Sequence, residues 1–320
     1  MPRFTSVFRA YIILLCIPMV ARAKLCGDHV DGRDVPCACG DTVVSDLVLT
    51  DDPVTTTVCS GDGLVVRAGG TLPGVTIDLG GKTLRGSGHG RGIWVVYGGT
   101  GGASIVSRPG RGRVDGFMDG IVGNGADAVF LIDHVLVSHS KRDGIRLNAP
   151  GYTVHDTQAE SSGRDGFGLG GRSFQISGGA AVNSGRYGYN VTGELAVVGV
   201  SGAGNIVQGA GRTGFNVTGI GHQIVGCVVS GARKQGVRLT GSHHVLSGCV
   251  AERNHGDGIV GMGMDWRLAG NRAVDNANDG LVVSGTRVLD GGGNSGRDNG
   301  MHRRPHPGTQ CTIGGVACVP

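Results

Sequence analysis

The chain repeats itself at a fixed interval. "RDGIRLNAPGYTVHDTQAESSG", residues 142–163, is followed at once by "RDGFGLGGRSFQISGGAAVNSG", residues 164–185, and both blocks are 22 residues long. The glycine of each Gly-apolar step falls at Gly120, Gly144, Gly166, Gly188, Gly214, Gly236, Gly258, Gly280 and Gly300, at intervals of 20 to 26 residues. Looser copies reach back to Gly92 and Gly63. Self-similarity at such a period predicts a solenoid, in which each repeat packs only on its neighbours.

The columns of the repeat say which solenoid. An apolar residue follows the marker (Ile145, Phe167, Tyr189, Phe215, Val237, Ile259, Leu281), and a second lies two residues on (Leu147, Leu169, Val191, Val217, Leu239), with Gly261 as an exception. That alternation is a strand signal, closed by Asn148, Thr192, Thr218, Thr240 or Ser284. A second apolar column is Ile132, Val154, Ile176, Val198, Ile224, Leu246 and Leu268; a third is Val137, Ala159, Ala181, Val207, Val229, Ala251 and Ala273. Three short strands per repeat predict an all-β, parallel β-helix of about ten coils. Composition agrees. Glycine supplies 64 of 320 residues and aromatics only 4%, which suits tight turns around a narrow core. No Gly-X-Y period is present, so collagen is excluded.

The spacing, the columns and "VTIDLGGKTLRGSG" at 75–88 resemble the right-handed parallel β-helix proteins of the pectin-lyase-like superfamily, over about residues 40 to 303, which implies a right-handed solenoid. The opening "CGDTVVSDLVLT" with "CSGDGLVV" is similar to secreted bacterial β-helix proteins of mostly unassigned function. The resemblance implies a scaffold that hosts lyases, hydrolases, epimerases and inert spikes. Its active-site motifs do not carry over. Mannuronan epimerases use Asp-Pro-His-Asp, of which only His155-Asp156 has a counterpart. The polygalacturonase Gly-His-Gly survives as Gly88-His89-Gly90 without its carboxylates. Asp257, Asp279 and Asp298 are too dispersed for the calcium cluster of a pectate lyase.

Residues 1–23 read as a signal peptide, with Arg3 and Arg9, the run "YIILLCIPMV" and an Ala21-Arg22-Ala23 cleavage site. Export to the periplasm or beyond follows, with no retained membrane span. Cleavage removes three of 29 Lys and Arg and leaves 26 against 25 Asp and Glu, so no basic field for nucleic acid remains. Eight cysteines survive: Cys26, Cys37, Cys39, Cys59, Cys227, Cys249, Cys311 and Cys318, and an even number in an exported chain predicts disulfides. Cys227 and Cys249 share a column and are expected to touch, whether bonded or as stacked thiols. The expected organisation is a cysteine-bearing cap at 24–62, coils at 63–303 and a cysteine-bearing tail at 304–320.

Two residues before the marker stand Arg142, Arg164, Arg186, Arg212 and Lys234. Coils lie about 4.8 Å apart, so these cations form a ladder. Asp143 and Asp165 can neutralise the first two. Arg186, Arg212 and Lys234 are expected to be uncompensated. With Arg164, they form a candidate strip for an acidic, uronic-acid-type polysaccharide, because guanidinium groups match carboxylates in fork geometry; a solvated edge is the alternative. A second column, Phe130, Tyr152, Phe174, Ala196, His222, His244 and Trp266, shares parity with inward residues and predicts an internal stack rather than a sugar platform. A third group, Asp133, His155 and Asp156 with His134, is the candidate catalytic cluster, since a carboxylate that orients an imidazole makes a general base. His243, Asp265 and Arg267 form a further surface group. His302, Arg303, Arg304 and His306 make a short tail tract of a metal-binding type. No resident metal or cofactor is assigned.

The functional expectation is an exported protein that binds, and if catalytic modifies as a lyase or epimerase, an acidic polysaccharide along its long face. The competing reading is a non-catalytic rod that contacts other envelope components.

Overall fold

The computed structural model describes residues 23–68, 74–97, 102–125, 130–301 and 308–318. The leader expected at 1–23, apart from Ala23, and the His302–His306 tract lie outside these residues. Each coil contributes one strand to each of three parallel sheets, as in Ile145–Asn148, Thr153–His155 and Gln158–Glu160. The first sheet has 15 strands, and the second and third have 11 each, giving about eleven coils. The described helix content is one turn, Pro53–Thr56. Between consecutive strands of one sheet the described chain returns through a strand in each of the other two, and crossovers between parallel strands of one sheet are right-handed. The fold is the parallel β-helix that the repeat predicts.

Register bears out the columns. Ile145 pairs with Phe167, Phe167 with Tyr189, Tyr189 with Phe215 and Phe215 with Val237. In the second sheet Val154 sits under Ile176, and in the third Ala159 under Ala181. All these side chains are buried. Phe167, Tyr189 and Phe215 stack with ring centroids 4.4 and 4.7 Å apart. The 26-residue interval is absorbed at 199–204, a turn held by a Val200–Ala203 bridge, without disturbing the coils on either side.

Strands of the first sheet run two residues past the threonines that close the sequence pattern, as in Tyr189–Glu194 and Phe215–Ile220. Gly193 and Gly219 permit this. Both adopt positive φ (105° and 142°), and a Cβ on Gly219 would lie 1.9 Å from the Gly193 carbonyl. The Gly261 exception also has a cause. The indole of Trp266 fills the space where a side chain at 261 would project, 2.4 Å from its would-be Cβ, and donates to the Gly241 carbonyl.

The ends are blunted against edge pairing. At one end Leu25–Val30 turns back antiparallel on Arg33–Val35, tied by Cys26–Cys37 and Cys39–Cys59. At the other, Cys311–Ile313 pairs antiparallel with Val316–Ala317 beside Cys311–Cys318. Cys227 and Cys249 are bonded between adjacent coils, with Cα atoms 4.5 Å apart. Their column continues as an asparagine ladder. The Cys249 N–H donates to Asn271 Oδ1, and the Asn271 N–H donates to Asn294 Oδ1. A parallel ladder of Asn254, Asn276 and Asn299 lines the corner before the first sheet.

Candidate functional site

The five cations stack. The backbone N–H groups of Arg164, Arg186, Arg212 and Lys234 donate to the carbonyls of Arg142, Arg164, Arg186 and Arg212 at 2.7–2.9 Å. The ladder runs along the corner where the third sheet turns into the first. Beside it stands a second ladder of three buried carboxylates, Asp119, Asp143 and Asp165. Each accepts the backbone N–H of the next coil at 3.3 Å, from Asp143, Asp165 and Tyr187 in turn. That tilt carries each carboxylate toward the following coil's cation. Asp119 pairs with Arg142 (3.7 Å), Asp143 with Arg164 (3.7 Å), and Asp165 with Arg186 in a two-pronged contact of 2.8 and 2.6 Å.

This corrects the sequence expectation by one coil: Arg186 is neutralised, and the unpaired stretch shrinks to Arg212 and Lys234. Among the described residues neither forms an ion pair, and Arg212 lies 5.8 Å from the Tyr187 ring centroid. Asp165 also holds the Arg186 guanidinium more firmly protonated. Burial, and then the Asp165 carboxylate, push Asp143 above the usual carboxylate value, against the pull of Arg164.

The ladder borders a groove on the outer face of the first sheet. In the strand Phe167–Gly170, the two outward residues are Gly168 and Gly170. Gly168 lies in register between Arg146 and Asn190, and Gly170 beside Asn148. Neither has positive φ, so the backbone does not demand glycine there. A Cβ at Gly168 would meet nothing nearer than 3.9 Å. The missing side chain at Gly168 opens onto a cavity of about 220 Å³ lined by Arg146, Arg164, Arg186, Asn148, Asn190 and Thr192, while Asn148 and Thr192 crowd Gly170, 2.9 and 3.1 Å from its would-be Cβ. Asn216 donates to Asn190, which donates to Asp165, so the polar floor is tied to the carboxylate ladder.

Asp133, His155 and Asp156 come together elsewhere, at the corner between the second and third sheets. His155 Nδ1 lies 2.9 Å from Asp133 Oδ1, and His134 Nδ1 lies 2.6 Å from Asp156 Oδ2. Arg111 binds Asp156 at 2.8 Å and Arg108 approaches Asp133 at 3.6 Å. This cluster and the cation ladder sit at opposite edges of the third sheet and do not form one site.

The aromatic column is internal. Tyr152, Phe174, Ala196, His222, His244 and Trp266 are all buried; the side chain of Phe130 lies outside the described set. Tyr152 stacks on Phe174 at 4.6 Å and His222 on His244 at 5.2 Å. In the remaining surface group His243 reaches Asp265 at 3.6 Å, but the main partner of Asp265 is Arg287 rather than Arg267. Asp257 and Asp279 are less dispersed than their spacing suggests, since the Asp279 N–H donates to Asp257 Oδ1 at 3.3 Å; Asp298 lies apart, against Arg297. The sequence reading passed over Asp119, Arg146, Gly168 and Gly170. The signal for Arg146 and Gly168 was available in the outward slot of the first strand, where Arg146, Gly168, Asn190, Asn216 and Arg238 alternate with buried residues.

By sequence, no family model and no curated protein matches the chain. Among solved structures, the Dettilon tailspike protein (gp208) superimposes with a TM-score of 0.55 at 12% identity, over 80% of this chain and 60% of the tailspike. That likeness establishes the fold. This chain thus spans about three fifths of the tailspike's length. The periplasmic alginate epimerase AlgG aligns at a TM-score of 0.46 and 14% identity, over 78% of this chain and 74% of that one. The catalytic domain of a GH87 alpha-1,3-glucanase in complex with nigerose aligns at 0.41 and 10% identity, over 88% and 61%.

Proposed function

We propose that this protein binds a polysaccharide along the outer face of its first sheet, and that the polymer is acidic, of the uronic-acid type. The observation that carries the reading is the groove over Gly168, open where any other residue would fill it and flanked by stacked cations. Its walls combine guanidinium groups with Asn and Thr side chains, a set suited to carboxylates and sugar hydroxyls. The ladder continues past the groove through Arg212 and Lys234, which pair with no carboxylate among the described residues. A polymer lying along the helix axis would neutralise them, and its repeated charges suit a site that repeats every coil. The carboxylates inside the groove are engaged by arginines and backbone N–H groups, which favours binding over acid–base turnover at this face.

The test is retention on immobilised polygalacturonate or alginate. Arg212→Gln with Lys234→Gln is the informative pair, because neither residue supports a buried carboxylate; Arg186→Gln would strand Asp165 and confuse binding with stability. The double variant should lose about tenfold or more in affinity, and retention of the wild type should fall as salt rises. Gly168→Val, whose side chain would occupy the groove, should weaken retention while leaving thermal stability within about 1 kcal/mol. Unchanged retention in both variants would overturn the assignment in favour of a non-catalytic rod.

A further inference from the structure

The corner between the second and third sheets needs one residue of left-handed conformation per coil. Gly178, Gly226, Gly248 and Gly270 supply it in four coils, with φ between 62° and 65°. Two consecutive coils instead place His134 (φ 61°) and Asp156 (φ 39°) there, at a backbone cost that glycine would avoid. Those two side chains bond each other, and the residue before each forms the mirror arrangement, Asp133 with His155. The result is a two-by-two checkerboard of carboxylates and imidazoles on adjacent coils.

Both rings spend Nδ1 on a carboxylate. Arg111 occupies Asp156 and Gln158, and Arg108 approaches Asp133. The adjoining cavity of about 330 Å³ is lined by His134, His155 and Arg108, whose side chain is 74% exposed, together with Asp133 and Asp156; Nε2 of each ring has no partner among the described residues. Two arginines already balance two aspartates, so a cation gains nothing here. An anion gains three donors when the rings carry protons on Nε2 as well as on the Nδ1 that each gives to a carboxylate. The donors rise from three successive coils, about 4.8 Å apart. That spread suits the several oxygens of a tetrahedral group better than the two coplanar oxygens of a carboxylate.

We propose that the cavity bounded by Arg108, His134 and His155 is a phosphate-binding site, separate from the polysaccharide groove. It takes the dianionic phosphate group either free or as the ester of a sugar. The test is a titration of the full chain, at fixed pH, with inorganic phosphate, glucose 6-phosphate and sodium acetate in parallel, read by the ¹⁵N resonances of the histidine side chains. Phosphate should shift Nε2 of His134 and His155 saturably. Arg108→Gln, on an exposed side chain, should weaken binding about tenfold or more, and His155→Gln should do the same with normal folding. A tighter response to glucose 6-phosphate than to inorganic phosphate assigns the ester as ligand, and the reverse assigns the free anion. Gly168→Val should leave the titration unchanged, which separates this site from the groove whether or not the groove binds glycan. Shifts that do not saturate, that acetate reproduces, or that survive Arg108→Gln would overturn the proposal.

Discussion

Acidification should strike this molecule at one identifiable place, the internal histidines. His222 Nδ1 accepts the Ala196 backbone N–H at 3.1 Å, and His244 Nδ1 accepts the His222 N–H at 3.2 Å. Each Nε2–H then faces a carbonyl, of Thr218 at 3.3 Å and Thr240 at 3.1 Å. This arrangement requires the neutral ring, since a proton on Nδ1 would confront a backbone N–H. Burial accordingly lowers both, His244 to about 4 with some help from the neighbouring His222. The ordinary value is 6.5. Between those limits the unfolded chain binds a proton that the folded chain refuses, so stability is full above about pH 6.5 and declines as pH falls toward 4. At about 1.4 kcal/mol per pH unit, His244 alone accounts for roughly 2 kcal/mol between pH 7 and pH 4.5. The assay is urea unfolding of the wild type and His244→Phe at both pH values. Phenylalanine suits the column, as the Tyr152–Phe174 stack shows. The variant gives up the His222 N–H acceptor at both pH values, which changes its stability but not its slope. Its loss on acidification should be smaller than the wild type's by about 2 kcal/mol. Equal losses would refute the neutral-ring argument.

Two further substitutions probe the interior. Trp266→Ala should cost about 3–5 kcal/mol in chemical unfolding, because the indole alone fills the space over Gly261 and Gly263. Asn276→Ala should cost about 1–3 kcal/mol, since Asn276 accepts from Asn254 and donates to the Ala251 carbonyl and Asn299, and its loss leaves buried polar groups unpaired. Asn278→Ala, at a half-buried residue whose side chain makes no hydrogen bond among the described residues, is the control and should stay within about 0.5 kcal/mol.

The parallel stacking was legible because a period of 22 residues leaves little freedom: once Ile145 and Phe167 head the same strand in successive coils, every residue between them is placed within a slot. Inward and outward positions followed from parity, which is how His222 and His244 could be read as internal. Three things were not legible. Spacing gives the slot but not the direction in which a long side chain leans. The Asp143 that follows Arg142 therefore serves Arg164, and the real partner of Arg142 is Asp119. The asparagine ladders are scattered through Gly- and Ser-rich corners, where Asn equally suits an exposed turn. The groove is defined by absence: Gly168 looks like the turn glycines around it, and only its ordinary φ and the open space above it reveal that it serves space rather than backbone conformation.

The most direct measurement is a crystal structure of the protein with a uronic-acid oligosaccharide of six or more sugars. The account predicts a chain lying across successive coils of the first sheet, its carboxylates against Arg212 and Lys234 and a sugar ring seated over Gly168. Oligosaccharide bound on another face, or none bound at concentrations that saturate retention in solution, would contradict it.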